Sequence, residues 1–286
     1  MVDAKKSHTY RLIVTTRQPM IILNTFLERQ SQYMLDPRRA SDLWIRRFTA
    51  KSGGQVRLVC FPHAGGSAGF FYPLSRNLEH PYEVVAVQYP GRQDRRSEDI
   101  AGGVEELADR IFEALKPWAD VSLVLLGHSM GSIIAFEVAR RLESSATGTL
   151  AGLIVSARRA PAVHHEYDKS PWTMHDAQAV SEAMGGTDPV LAADRSFMEL
   201  TLPVLNGDYL VDASYRYRPG PPLRCPLTLF TGDSDPFVND EETKGWGEHT
   251  AGRFQHRRFT GGHFYLTEQR DTFYSALSEE LSGFTM

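Results

Sequence analysis

From Val56 onward, apolar residues come in short unbroken runs, separated by stretches where they recur every three or four positions. The runs at 56–61, 83–88, 122–126, 153–156, 227–231 and 254–259 read as strands. All but the last are continuous rather than alternating, as expected when helices cover both faces of a sheet. The periodic stretches at 104–115, 131–142, 239–249 and 271–281 read as helices. Strand–helix alternation predicts an α/β domain with a mostly parallel, doubly wound sheet. Between Ala160 and Pro222 the rhythm breaks. No strand is legible there, and helix-like pieces at 175–184 and 195–205 are punctuated by Gly185-Gly186, Pro189 and Pro203. A span of about sixty residues is too long for a plain connection, so 160–222 reads as a helical lid inserted over the sheet.

Residues 1–50 show no clear element order. They read as an N-terminal extension, either disordered or translated ahead of a start at Met34, in front of a domain at 51–286. The apolar patch at 20–26 is too short for a signal peptide, and no run approaches the about 20 apolar residues a membrane span needs. A cytoplasmic protein without membrane contact is expected.

Composition narrows the function. A chain of 286 residues that is 42% hydrophobic can bury a large core. Its formal net charge of −4 offers no basic field for a nucleic-acid backbone. The two cysteines, Cys60 and Cys225, match no metal or redox spacing and read as small core residues. No metal and no cofactor is implied.

The chemistry centres on Gly127-His128-Ser129-Met130-Gly131, which follows an apolar strand and opens an amphipathic helix. The pattern G-x-S-x-G is weak alone and strong in that context. A turn from strand to helix this sharp strains the nucleophile's backbone and lifts its hydroxyl to a helix N-terminus, where negative charge is favoured. Ser129 is therefore the candidate nucleophile. A serine hydroxyl needs a base, which in this arrangement comes late in the chain, after an acid. His249, His256 and His263 qualify by position. His263 is preferred, because Gly261-Gly262-His263 lies just beyond a strand, where site loops gather in open parallel sheets. Asp233 and Asp235 compete as the acid. Asp235 is preferred because it lies further past its strand and is stiffened by Pro236; Asp233 suits the turn cap. Two backbone N–H groups should stabilise the oxyanion. They are those of Met130 and, in Pro62-His63-Ala64-Gly65-Gly66, of Ala64. His63 itself reads as structural.

These residues resemble the type II thioesterases of polyketide and nonribosomal peptide assembly, members of the α/β-hydrolase superfamily. The similarity covers residues 34–284. It is carried by Phe61-Pro62-His63-Ala64-Gly65-Gly66, Tyr89-Pro90-Gly91-Arg92, the Ser129 motif, Leu202-Pro203-Val204-Leu205-Asn206-Gly207-Asp208-Tyr209, Gly232-Asp233-Ser234-Asp235-Pro236 and Gly261-Gly262-His263-Phe264. The resemblance implies an α/β-hydrolase fold and hydrolysis of acyl groups from the phosphopantetheine arm of acyl or peptidyl carrier proteins, clearing stalled units. Two features depart from the pattern: the first 33 residues, and Asn206-Gly207-Asp208 where Arg-Ala-Asp is commoner. A general carboxylesterase with the same catalytic residues, and a non-catalytic binding protein of the same fold, are the competing readings. Tyr89-Pro90-Gly91-Arg92 reads as a structural turn, with the lesser alternative that Arg92, near the mouth, meets a phosphate or acidic partner. Trp172 and Phe197 either line the acyl pocket or pin the lid. Glu279 and Glu280 read as a solvated helix face.

Overall fold

The computed structural model of the chain describes residues 37–48, 54–78, 81–145, 148–163, 170, 172–186 and 189–284. Among these residues seven strands form one sheet: β1 (Ile45–Arg47), β2 (Val56–Phe61), β3 (Tyr82–Val87), β4 (Ser122–His128), β5 (Leu150–Ser156), β6 (Leu227–Gly232) and β7 (Phe254–Phe259). Their order is β1-β3-β2-β4-β5-β6-β7. Strands β2 to β7 pair in parallel, while β1 runs antiparallel to β3 at the edge.

The continuous apolar runs have the expected cause. Along β4, Leu123 and Leu125 enter one core layer, and Val124 and Leu126 enter the other. The first layer packs against α3 (Val104–Leu115) and α4 (Met130–Ser144), through Leu107, Ile111, Ile134 and Val138. The second packs against α2 (Tyr72–Asn77) and α10 (Arg270–Phe284), through Leu74, Phe273, Leu277 and Leu281. Both cysteines are free and buried, as read from sequence.

Three expectations need correction. The stretch assigned to an N-terminal extension contains α1 (Pro37–Trp44) and β1. Ile45 is buried in the core, the Ser41 hydroxyl donates to Ala114 O at 2.6 Å, and Trp118 Nε1 donates to Ser41 Oγ at 2.6 Å. A three-residue strand carries too few positions to show a period. Residues 1–36, including the apolar patch at 20–26 and Met34, lie outside the described residues. The helix read at 239–249 is a short α8 (Asp240–Thr243) followed by a 3₁₀ turn, Lys244–His249. Glu280 does not face solvent. It is 1% exposed, accepts from Thr228 Oγ1 at 2.8 Å, and pairs with Arg257 at 2.6 Å. Sequence spacing placed it correctly on a helix but could not show that the opposite strand supplies partners.

Between β5 and β6 lie α5 (Met174–Met184), α6 (Pro189–Ala193) and α7 (Arg195–Ser214). A capping box starts α5: Thr173 Oγ1 accepts from Asp176 N, and Asp176 Oδ2 accepts from Thr173 N. Asp194 caps α7 by accepting from Phe197 N at 2.8 Å. The sequence reading carried this helix only to Leu205. It runs on to Ser214, since Met198, Asp208, Val211 and Ala213 are buried on both sides of the proline. Their packing outweighs the hydrogen bond that proline removes. The last short helix, α9 (Tyr265–Glu268), follows β7.

Leu125 is fully buried on the central strand. Leu125→Ala should therefore lower unfolding stability by about 2–5 kcal/mol in urea melts, from lost transfer energy plus a residual cavity.

Candidate active site

The site begins at the junction of β4 and α4. Ser129 sits there as the N-cap with φ 55° and ψ −122°, a backbone conformation that side chains other than glycine rarely adopt. Something must hold that strain, and the neighbours do. Ser129 N–H donates to Ser156 O at 2.8 Å. Ser132 Oγ shares its one proton between Gly127 O at 2.8 Å and Ser156 O at 2.9 Å. The turn therefore stays fixed to the end of β5. The motif glycines allow the fit: a Cβ on Gly131 would meet the Phe61 and Pro62 carbonyl oxygens, and one on Gly127 would meet Gly131 O and Ser132 Cα. These are backbone atoms with no room to yield.

His263 follows β7 and Asp235 follows β6, the places read from sequence. His263 Nδ1 and Asp235 Oδ2 are 2.8 Å apart, with both side chains almost fully buried. Asp235 Oδ1 also accepts from Phe237 N at 2.9 Å, which fixes the carboxylate plane. The other ring nitrogen, His263 Nε2, is buried with no hydrogen-bond partner among the described residues. The His263 ring lies 5.3 Å from the ring of His128, the residue before Ser129, and Phe264 lies 4.8 Å from His63.

The rejected alternatives are elsewhere. Asp233 is exposed and accepts from Gly261 N and Ser234 Oγ, the turn-capping job expected of it. The Gly261 N–H holds its carboxyl below the usual range. His256 Nε2 is bound to Thr231 Oγ1 at 2.8 Å. His249 is buried among Phe136, Tyr217 and Trp246.

Three imidazoles crowd this end of the sheet. Burial first, then the neighbouring His263 and Arg92, lower His63 to about 3. Burial, then His263 and His63, push His128 well below its ordinary value. Both are neutral at physiological pH. His128 Nδ1 is fixed 2.9 Å from Ser156 Oγ, which lies 2.5 Å from Tyr265 OH. His63 packs edge-on to Phe70 and Phe264.

Among the described residues neither the Ala64 nor the Met130 N–H has a hydrogen-bond partner. Met130 N–H opens α4, where an α-helix leaves its first donors without an internal acceptor. A cavity of about 120 Å³ runs beside Ala64 between the loop and the helical segment. Met184, Phe197, Met198, Thr201 and Leu205 line one side, and His63 and Phe264 the other. Phe197 is thus a wall residue. Trp172 instead pins the segment, since its ring lies 4.4 Å from Tyr209 and its backbone N–H and C=O both bind the Asn206 amide.

Sequence reading missed one element. Arg92 is not at the mouth. It is 5% exposed and pairs with Asp208 of α7 at 2.5 Å. Burial pushes the Asp208 carboxyl up to about 6, opposed by the Arg92 charge and by a hydrogen bond from Gly65 N. The two residues are 116 positions apart, and no local pattern in the sequence links them. The departure at Asn206-Gly207 also has a local reason. Asn206 serves Trp172, and a Cβ on Gly207 would collide with Ile100 Cδ1.

Gly131→Ala tests the close approach of β2 and α4. It should cost about 1–3 kcal/mol or more in urea unfolding, because the added methyl meets only main chain.

Residues 56–281 match the thioesterase domain family. Thioesterase PikA5 of Streptomyces venezuelae is 41% identical over 244 residues, 84% of this chain and 86% of that protein. The gramicidin S biosynthesis protein GrsT of Aneurinibacillus migulanus is 32% identical over 232 residues, covering 79% and 89%. The structure of the type II thioesterase BorB from the borrelidin biosynthetic cluster superposes with a TM-score of 0.78 at 42% identity, over 84% of this chain and 98% of that one. The chain belongs to the thioesterase domain family, with the α/β-hydrolase fold, and is a thioesterase.

Proposed function

We propose that this thioesterase works through Ser129 as nucleophile, His263 as general base and Asp235 as the group that orients the base, on acyl groups carried by the phosphopantetheine arm of acyl or peptidyl carrier proteins. The observation that carries the catalytic reading is the His263 Nδ1–Asp235 bond of 2.8 Å, which leaves Nε2 as the only ring nitrogen free to take a proton. Asp235 fixes the tautomer and stabilises the imidazolium without being protonated itself.

Nε2 removes the Ser129 proton as Oγ attacks the thioester carbonyl. Negative charge collects on the carbonyl oxygen, and the Ala64 and Met130 N–H groups stabilise it; one such donor is worth about 3–4 kcal/mol. The C–S bond breaks, His263 protonates the departing sulfur, and the acyl group remains on Ser129. Water, deprotonated by His263, then releases the acid and restores the hydroxyl. The segment at 160–222 serves as a lid that shapes the acyl pocket and admits the arm. The carrier-bound substrate is supported by relatives named for gramicidin S biosynthesis and for the borrelidin biosynthetic cluster. Among the described residues no helix is long and apolar enough to cross a membrane.

Mass spectrometry of acyl-loaded carrier proteins tests this. Wild type should release the acyl group and Ser129→Ala should not; equal release by both removes Ser129 from the mechanism. Asp235→Asn, which favours the wrong tautomer, should lower kcat by about 10⁴-fold with little change in KM, measured on the same thioesters.

A further inference from the structure

The Ala64 N–H has a demanding task in this mechanism. Its loop, Pro62-His63-Ala64-Gly65-Gly66, belongs to neither a helix nor a strand. Catalysis by a preorganised donor requires that such a loop be held before the reaction begins. The structure shows what holds it, one contact on each side of Ala64.

On the far side, Gly65 N–H donates to Asp208 Oδ2 at 2.7 Å. On the near side, Tyr89 OH donates to Pro62 O at 3.1 Å. The two anchors are themselves joined. Asp208 Oδ1 accepts from Arg92 NH2 at 2.5 Å, and the Arg92 guanidinium lies 5.2 Å from the Tyr89 ring centre. Asp208 is 2% exposed, Arg92 5% and Tyr89 1%. Asp208 belongs to α7, and Leu205, one turn earlier, sits against the open side of Gly65, whose φ is +75°. The helix therefore meets the loop through one buried carboxylate and one apolar side chain.

We propose that Asp208, held by Arg92, is a positioning residue that ties the Ala64 N–H to helix α7, so that the oxyanion site is complete only when the helical segment is seated. The inference rests on the reading of Ala64 as an oxyanion donor. The geometry makes the carboxylate a bracket. One oxygen fixes the loop amide next to Ala64, and the other fixes the guanidinium that backs Tyr89. Movement of α7 away from the sheet withdraws the acceptor from Gly65 N–H and frees the loop. A buried ion pair is a poor way to gain stability, because desolvation offsets most of the attraction. It is a good way to fix direction, because a charged acceptor with two partners has one orientation. Seating of the segment and assembly of the transition-state site are then one event.

The test uses the full chain and an acyl-pantetheine thioester. Asp208→Asn, Arg92→Gln and the double variant are compared with wild type for kcat, KM and inhibition by phenylboronic acid, whose tetrahedral Ser129 adduct places an oxygen in the oxyanion site. A donor displaced by an ångström costs about 10- to 100-fold in rate. Asp208→Asn should lose about that factor in kcat and weaken the boronate in parallel, with KM within about threefold of wild type. The double variant should be no worse than either single one, since the pair acts as a unit. A merely structural role would lower the melting temperature without matching the boronate loss to the kcat loss.

Folded Asp208→Asn with wild-type kcat and boronate affinity overturns the proposal. Should Asp208→Asn fail to fold, Tyr89→Phe decides. It removes only the hydroxyl on Pro62 O, and a parallel loss in kcat and boronate affinity supports the clamp, whereas unchanged values overturn it. Ser129→Ala separates the two levels. Activity in that variant removes the underlying mechanism, while a dead Ser129→Ala beside a fully active Asp208→Asn removes the clamp alone.

Discussion

The near-contact of main chain beneath Ser129 is the constraint from which the rest follows. Helix α4 lies so close to β4 at Gly127, and to the end of β2 at Gly131, that neither glycine leaves space for a Cβ. Between them the serine backbone takes φ 55°. Hydrogen bonds from Ser129 N and Ser132 Oγ to the end of β5 hold the strain. The two core layers, one on each face of β4, supply the rigidity that makes such a turn affordable.

Around that fixed point the other strands deliver their loops in order. Asp235 arrives after β6 and His263 after β7, and their hydrogen bond leaves one imidazole nitrogen free. Burial keeps His63 and His128 neutral, so that a positive charge forming on His263 meets no second cation from these two rings. Phe70 and Phe264 pack against these rings.

The sheet and the catalytic candidates were legible because each leaves a local signature. Continuous apolar runs marked β2 to β6, the glycine-flanked serine marked the turn, and loop position separated His263 from His256 and His249. What escaped depended on contacts between distant residues. Strand β1 is too short to carry a period and declares itself only by pairing with β3. Glu280 looked like a solvated acid until Thr228 and Arg257 came across to it. Arg92 looked like a mouth residue, yet Asp208 draws it inside. Helix α7 outran its proline because burial on both sides outweighs one lost hydrogen bond. In each case tertiary contact overrode a local preference.

The central claim is that an imidazole oriented by Asp235 makes Ser129 the acyl acceptor. Rapid acid quench after mixing the enzyme with an acyl-carrier thioester, followed by peptide mass mapping, addresses it directly. The account predicts the acyl mass on the peptide containing Ser129, formed before free acid accumulates. Turnover with no acyl group on that peptide at any quench time, or with the adduct on another residue, would contradict it.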